Sequence, residues 1–284
     1  MALLIGNEHY ESDDEKVNSC PKCQTPSYNL TRLNLSESFK RLKKRLEDLD
    51  YLVMAFIDLD SDEYIRALRL ARKMCDQVDN VSVLIYVAGH GHNYCHEDFL
   101  IPINTKILLH NNHHDYRGIL SQLSLCSLSN LLENFKPTLP DQNISVVCFW
   151  DLCRREWIEC PSDVDPSLTE NLKYTILFCC NIGKNGYEIS QEDEELNLHR
   201  GPIFLNVLLN NLKPNMTLYD IGVNMTAEIK HIVAKRPEFN KLNNPRLHST
   251  LERIDLSERA NCNRQFRPEV EKFYCNFILI FLIF

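Results

Sequence analysis

Five near-continuous apolar runs set the strongest limit on how this chain can fold: Ala2–Ile5, Leu52–Asp58, Val81–Ala88, Ile144–Asp151 and Tyr174–Cys180. A strand with one wet face alternates apolar and polar residues. Runs this uniformly apolar fit strands covered on both faces, as in a parallel sheet. Helical patterns lie between them. Leu35, Phe39, Leu42, Leu46 and Leu49 recur at intervals of four, three, four and three, which is one helix face; Lys40, Arg41, Lys43, Lys44 and Arg45 fall on its solvated side. A second helix follows Asp60-Ser61 with Tyr64, Leu68, Ala71 and Met74 inward, and a third covers Leu125–Phe135. Two more are expected near Pro202–Leu212, with the proline at the helix start, and Thr217–Ala234. Pro245–Leu251 alternates weakly and reads as a sixth, edge strand. Strands alternating with helices imply an α/β sandwich of three layers, with helices on both faces of a mostly parallel sheet of about six strands.

At 284 residues the chain is expected to form one large domain over residues 1–260, followed by a tail, 261–284. That tail ends in the apolar run Phe277–Phe284, far short of the roughly 20 residues of a membrane-spanning helix, and reads as a sticky tail or the start of a following element. The net charge of −8 leaves no nucleic-acid footprint and favours basic substrates. The apolar start reads as a strand rather than a secretory leader. Of the twelve cysteines, Cys148, Cys179 and Cys180 fall within expected buried strands, so a reducing setting is expected, cytoplasmic or nuclear. Asn-x-Ser/Thr sequences such as Asn143-Ile-Ser145 point the other way, but this one lies in a core strand.

In a parallel sheet the carboxyl ends of the strands share one edge, where ligands bind. Two segments bring reactive residues there, Tyr86-Val-Ala-Gly-His-Gly91 and Phe149-Trp-Asp-Leu-Cys-Arg154. A cysteine needs a base or positive charge beside it to become a thiolate near neutral pH. His90 is the candidate base for Cys153, and Arg154 and Arg155 add positive charge. Two of only eight glycines flank His90. The N–H groups of Gly91 and Cys153 are the candidate oxyanion hole. Asp151 lies two residues before Cys153, on the same side of extended chain. A carboxylate there raises a thiol pKa rather than lowering it, so Asp151 either binds a cationic substrate group or caps the following turn.

The order strand–Gly-His-Gly, then strand–Asp-x-Cys-Arg, resembles the caspase-like cysteine proteases, and the paracaspases most closely. The resemblance covers Ala2 to about Ala260. It includes Ala2-Leu-Leu-Ile-Gly-Asn7, Leu49-Asp-Tyr51, Ile57-Asp-Leu59, Gly186-Tyr-Glu-Ile189 and Gly201-Pro-Ile-Phe204. It implies peptide-bond hydrolysis after arginine, with His90 as base and Cys153 as nucleophile. Asp151 and Glu188 are then acids holding the substrate guanidinium. It also implies an intracellular signalling role with adaptor partners, homodimers formed through the last strand near Arg246–Leu251, and no cofactor. Caspases that cut after aspartate carry Gln-Ala-Cys at the nucleophile; Asp151 replaces that glutamine here. The family's third pocket acid falls at Ser38, and the adjacent Glu37 points about 100° away on a helix. Lysine is a second substrate residue to consider.

Two alternatives stay open on sequence alone: a caspase-like scaffold of weak or no activity, and a metacaspase-type protease cutting after basic residues. Cys20-Pro-Lys-Cys23 is a weak zinc signal without a second pair, even with His92, Cys95 and His96 as candidate partners, and no metal site is expected. His113-His114 and the acidic run Ser190–Glu195 read as solvated loops.

Overall fold

The structure, a computed structural model, describes residues 1–10, 30, 32–94, 97–105, 125–139, 141–156, 172–180, 186, 188–214, 216, 218–236, 239 and 246–249. The tail 261–284, the Cys20–Cys23 pair, Cys95, His96 and His113-His114 lie outside the described residues.

The five apolar runs become β1 (Ala2–Gly6), β2 (Val53–Ile57), β3 (Asn80–Gly89), β6 (Asn143–Leu152) and β8 (Lys173–Phe178). They form one parallel sheet, and β11 (Arg246–Ser249) closes it antiparallel to β8, giving the order β11-β8-β6-β3-β1-β2. β1, β3 and β6 occupy the middle. Alternate residues of these strands enter two separate cores. Leu4, Tyr86 and Phe149 pack beneath three helices, α1 (Ser36–Glu47), α4 (Ile203–Asn211) and α5 (Leu218–Lys235). Ile5, Ile85 and Trp150 pack on the other face beneath α2 (Ser61–Cys75) and α3 (Leu128–Glu133). The result is the expected three-layer sandwich. No helix among the described residues is long and apolar enough to cross a membrane.

The helix starts show how local chemistry fixes these layers. Asp60 accepts from the Glu63 N–H while Glu63 accepts from the Asp60 N–H, a reciprocal cap at the start of α2. α1 starts at Leu35, which has no capping side chain. Its cap comes from a distance: Glu8, just past β1, accepts from the Ser36 N–H at 2.8 Å and from the Ser36 hydroxyl. Burial opposes the Glu8 charge, but the bonds from Ser36 and Arg32 and the nearby His9 outweigh it and lower its pKa. Pro202 is the N-cap of α4 rather than its first helical residue. It also belongs to a two-residue strand, β10 (Gly201–Pro202), paired with β9 (Glu188–Ile189).

Sequence patterning did not anticipate a second, three-stranded sheet at the carboxyl edge. It comprises β4 (Gly91–Tyr94), β5 (Glu97–Leu100) and β7 (Arg155–Glu156), in the order β5-β4-β7. β3 and β6 thus run straight from the large sheet into the small one, as β4 and β7.

Candidate active site

The passage between the two sheets creates the site. β3 and β6 pair in parallel register up to Gly89↔Leu152, and β4 and β7 resume at His92↔Arg155 with the same offset along both chains. His90 and Cys153 are therefore opposite one another in the gap between ladders. Neighbouring strands lie about 4.8 Å apart, so the two residues stand side by side at the sheet edge. The His90 carbonyl leaves the ladder to accept from the Ile101 N–H at 2.9 Å. Both residues are half-buried, with access to solvent.

Cys153 differs from the other cysteines among the described residues: Cys75, Cys126, Cys148, Cys179 and Cys180 are all buried. Burial pushes the Cys126 thiol up to about 12 and the Cys75 thiol to about 11. Such thiols are inert packing groups. The Cys153 sulfur instead accepts from the Gly186 N–H at 3.3 Å. A donor aimed at sulfur stabilises negative charge there.

Gly91 fits the close approach that a backbone oxyanion hole needs. A Cβ on it would lie 2.6 Å from the Leu152 Cβ and 2.8 Å from the Cys153 carbonyl oxygen, so no larger residue fits between these strands.

Asp151 lies below Cys153 on the same side of the sheet. Gly186 joins them: its N–H reaches the Cys153 sulfur, and the direction of its missing Cβ passes 3.9 Å from the Asp151 Oδ1. Asp151 is only 8% exposed and accepts from the Tyr86 hydroxyl at 2.7 Å. Burial pushes its carboxyl up to about 7; the Tyr86 and Cys179 hydrogen bonds oppose this, and the Glu188 charge adds to it. A turn-capping aspartate would be solvated and bound to backbone N–H groups. Asp151 is instead a buried acid held by two side chains, poised between its charged and neutral forms.

Glu188 approaches from the β9–β10 ribbon. Its carboxylate accepts from the Asn34 N–H at 3.2 Å and the Asn34 side-chain amide at 3.4 Å. Burial raises its pKa, the Asn34 bonds lower it, and the Glu8 charge raises it further. Three carboxylates therefore form a chain along this side of the sheet, Glu188 within electrostatic reach of both Asp151 and Glu8.

The two candidate site residues on α1 differ sharply in burial. Ser38 is 1% exposed, and its hydroxyl donates to the Arg200 carbonyl at 3.2 Å. A Cβ on Gly201 would come within 3.0 Å of the Ser38 Oγ and 2.6 Å of the Asn34 carbonyl, so helix and ribbon are in close contact. Ser38 has no surface to offer a substrate; it anchors the ribbon that carries Glu188. Glu37 is exposed in the first turn of α1, where a negative charge suits the helix dipole.

Arg154 also departs from expectation. Rather than lending free positive charge to Cys153, it is buried and bound at two points to Asp98, with Nε–Oδ1 at 2.9 Å and Nη2–Oδ2 at 2.7 Å. Its guanidinium lies 3.9 Å above the Phe178 ring, and Asn93 donates to the same Asp98 carboxylate. This pair fastens the small sheet to the end of β6. Breaking a buried pair leaves one charge uncompensated and costs about 3–5 kcal/mol. Asp98→Asn is therefore expected to lower the unfolding free energy by that amount, read as a lower urea midpoint, whereas Asp98→Leu with Arg154→Met restores much of the loss. An unchanged midpoint in the single variant would show the pair to be structurally idle.

Sequence reasoning missed Tyr86 and Cys179, which hold Asp151, and Asn34, which holds Glu188. It also missed Tyr10, whose hydroxyl meets the His90 backbone. Each is brought to its partner by the tertiary fold from a distant part of the chain, and no local pattern announces that.

The model of the caspase domain matches residues 1–253. The crystal structure of caspase-1 from Spodoptera frugiperda superposes with a TM-score of 0.55 at 16% sequence identity, covering 89% of this chain and 87% of that one, a likeness of fold. No curated protein sequence matches the chain. On the family match across almost all of its described residues, this chain belongs to the caspase domain family, whose members are cysteine peptidases.

Proposed function

We propose that this protein is a cysteine endopeptidase of the paracaspase type, cutting peptide bonds after arginine. The observation that carries this reading is the placement of Cys153 beside His90 at the sheet edge, with the buried Asp151 beneath on the same strand. His90 removes the proton of the Cys153 thiol, and the sulfur attacks the scissile carbonyl carbon. The carbonyl oxygen becomes an oxyanion facing the Gly91 and Cys153 N–H groups. The C–N bond breaks, and the leaving amine takes the proton from His90. Water then loses a proton to His90 and attacks the thioester. The acid product leaves, and the thiol is restored.

Arginine is favoured over lysine because a planar guanidinium bonds two carboxylates at once, whereas an ammonium acts as a point charge. It is favoured over aspartate because the floor of the pocket is acidic. Lysyl bonds are expected as slower substrates. Homodimerisation is part of the same proposal: β11 is the outer strand of the large sheet, with one ladder edge unpaired among the described residues. Protein substrates in intracellular signalling, adaptor partners and a cytoplasmic or nuclear setting complete it.

Incubation with a peptidyl-arginyl fluoromethylketone tests this reading. One inhibitor per chain is expected on Cys153, as a thioether formed with loss of fluoride. The aspartyl counterpart is expected to label far more slowly. Preference for the aspartyl reagent, or modification elsewhere only, would refute the assignment.

A further inference from the structure

We propose that Tyr10 is a positioning residue for His90, holding the imidazole toward Cys153 from the strand next to the reactive pair. The inference rests on the Cys153–His90 reading above and adds a third member to it. β1, β3 and β6 are consecutive neighbours in the sheet, and each delivers one residue to the same edge: Tyr10, His90 and Cys153.

Three contacts define the arrangement. The His90 N–H donates to the Tyr10 hydroxyl oxygen at 2.7 Å. The two rings lie 4.7 Å apart between centroids, tilted by 54°. Gly89, immediately before His90, has φ +154° and no room for a side chain: a Cβ there would sit 2.8 Å from the Tyr10 Oη and 3.0 Å from the Leu100 Cδ1. The backbone entering His90 is thus shaped around the tyrosine.

Tyr10 itself stands on a rigid base. The Asn7 side chain donates to the Leu59 and Ile101 carbonyls and accepts from the Leu59 N–H. The Glu8 and His9 N–H groups both donate to the Asp58 Oδ1, at 2.7 and 2.8 Å. Ile101 also binds the His90 carbonyl, so one small network fixes both ends of the histidine backbone.

Burial raises the Tyr10 phenol far above its usual value, and the charges of Asp58, Cys153 and Glu188 push the same way. Tyr10 therefore stays neutral and exchanges no proton with the reaction. Its contribution is geometric. His90 is half-exposed at the sheet edge, and the Tyr10 ring packed against its imidazole restricts the rotamers it can adopt. Misplacement of a reacting group by an ångström costs roughly 10²-fold in rate.

Tyr10→Leu and Tyr10→Phe test the proposal, read by kcat and KM on an arginyl-amide peptide. The pH dependence of Cys153 alkylation by iodoacetamide, followed by mass spectrometry, is the second readout. The leucine variant is expected to lose roughly 10–100-fold in kcat with KM within about twofold, and its alkylation profile should move toward that of an isolated thiol. The phenylalanine variant keeps the ring and loses only the acceptor, so a smaller loss of about 2–5-fold is expected.

Wild-type kcat and an unmoved alkylation profile in the leucine variant would overturn the proposal, as would a loss confined to KM. Should that variant fail to fold, the phenylalanine variant decides, and unchanged kcat with an unchanged profile overturns it. A wild-type protein without turnover, whose Cys153 titrates as an isolated thiol, would instead remove the Cys153–His90 reading, and this inference with it.

Discussion

Cys153→Ala is expected to lose at least ~10⁴-fold in cleavage of an arginyl-amide peptide, because an alanine has no atom that can form the acyl bond. The fold should remain. Cys153 is half-exposed and lies beyond the last residue of β6, so truncation opens no core cavity. A stability change within about 1 kcal/mol is expected. The contrast with Cys148→Ala is informative. Cys148 is fully buried in the middle of the sheet, so that change should cost stability and leave the chemistry alone. Loss of turnover in both, tracking unfolding, would mean that Cys153 acts through structure.

Asp151→Asn has the second largest expected effect, and it acts on function and stability in opposite directions. Removing the buried charge should cost about 3–5 kcal/mol of interaction with a bound guanidinium, or roughly 10²–10⁴-fold in kcat/KM for arginyl substrates. The stability effect follows from linkage. The Asp151 carboxyl lies at about 7 in the folded protein against an ordinary 3.8, because burial disfavours its charge. The folded state therefore holds a proton that the unfolded chain releases, and this contribution falls as pH rises from about 4 to about 7.

The asparagine variant carries no such penalty and still accepts from Tyr86. At pH 7.5 it is expected to be more stable than wild type by up to about 4 kcal/mol, a gain of several degrees in Tm, with the difference vanishing near pH 4. Wild-type KM for arginyl peptides should likewise rise as pH falls below about 7, where Asp151 is neutral and holds a cation poorly. An asparagine variant less stable than wild type at every pH would show that the carboxylate is satisfied in the empty pocket.

The legibility of this fold in its sequence varied with the kind of constraint each element obeys. The five parallel strands of the large sheet were readable because strands covered on both faces must be apolar throughout, and that leaves a continuous signature; β11, antiparallel at the edge, showed only as a weak alternation. α1 and α2 were readable from their spacing. The small strands β4, β5, β7, β9 and β10 carry no such mark. They are two to four residues long and owe their pairing to partners brought up by the large sheet. His90 and Cys153 were legible because both sit at strand ends, where topology alone brings residues together.

Ser38 and Arg154 illustrate the limit. Alignment with a family pattern places a pocket acid at Ser38. The close approach of α1 to Gly201 makes that position a packing contact instead. Arg154 reads as an exposed positive charge until Asp98, distant in sequence, arrives to bury it. Tyr10 is the same kind of case: nothing near Asn7-Glu-His-Tyr10 names it, and its relation to His90 appears only once β1 lies beside β3.

The most direct test is parallel digestion of one peptide library, holding arginyl, lysyl and aspartyl bonds, by the wild-type protein and the Cys153→Ala variant. Cleavage by wild type predominantly after arginine, absent from the folded variant, is the expected result. Retained cleavage by the variant, or cleavage after aspartate by wild type, would contradict the roles given to Cys153 and Asp151.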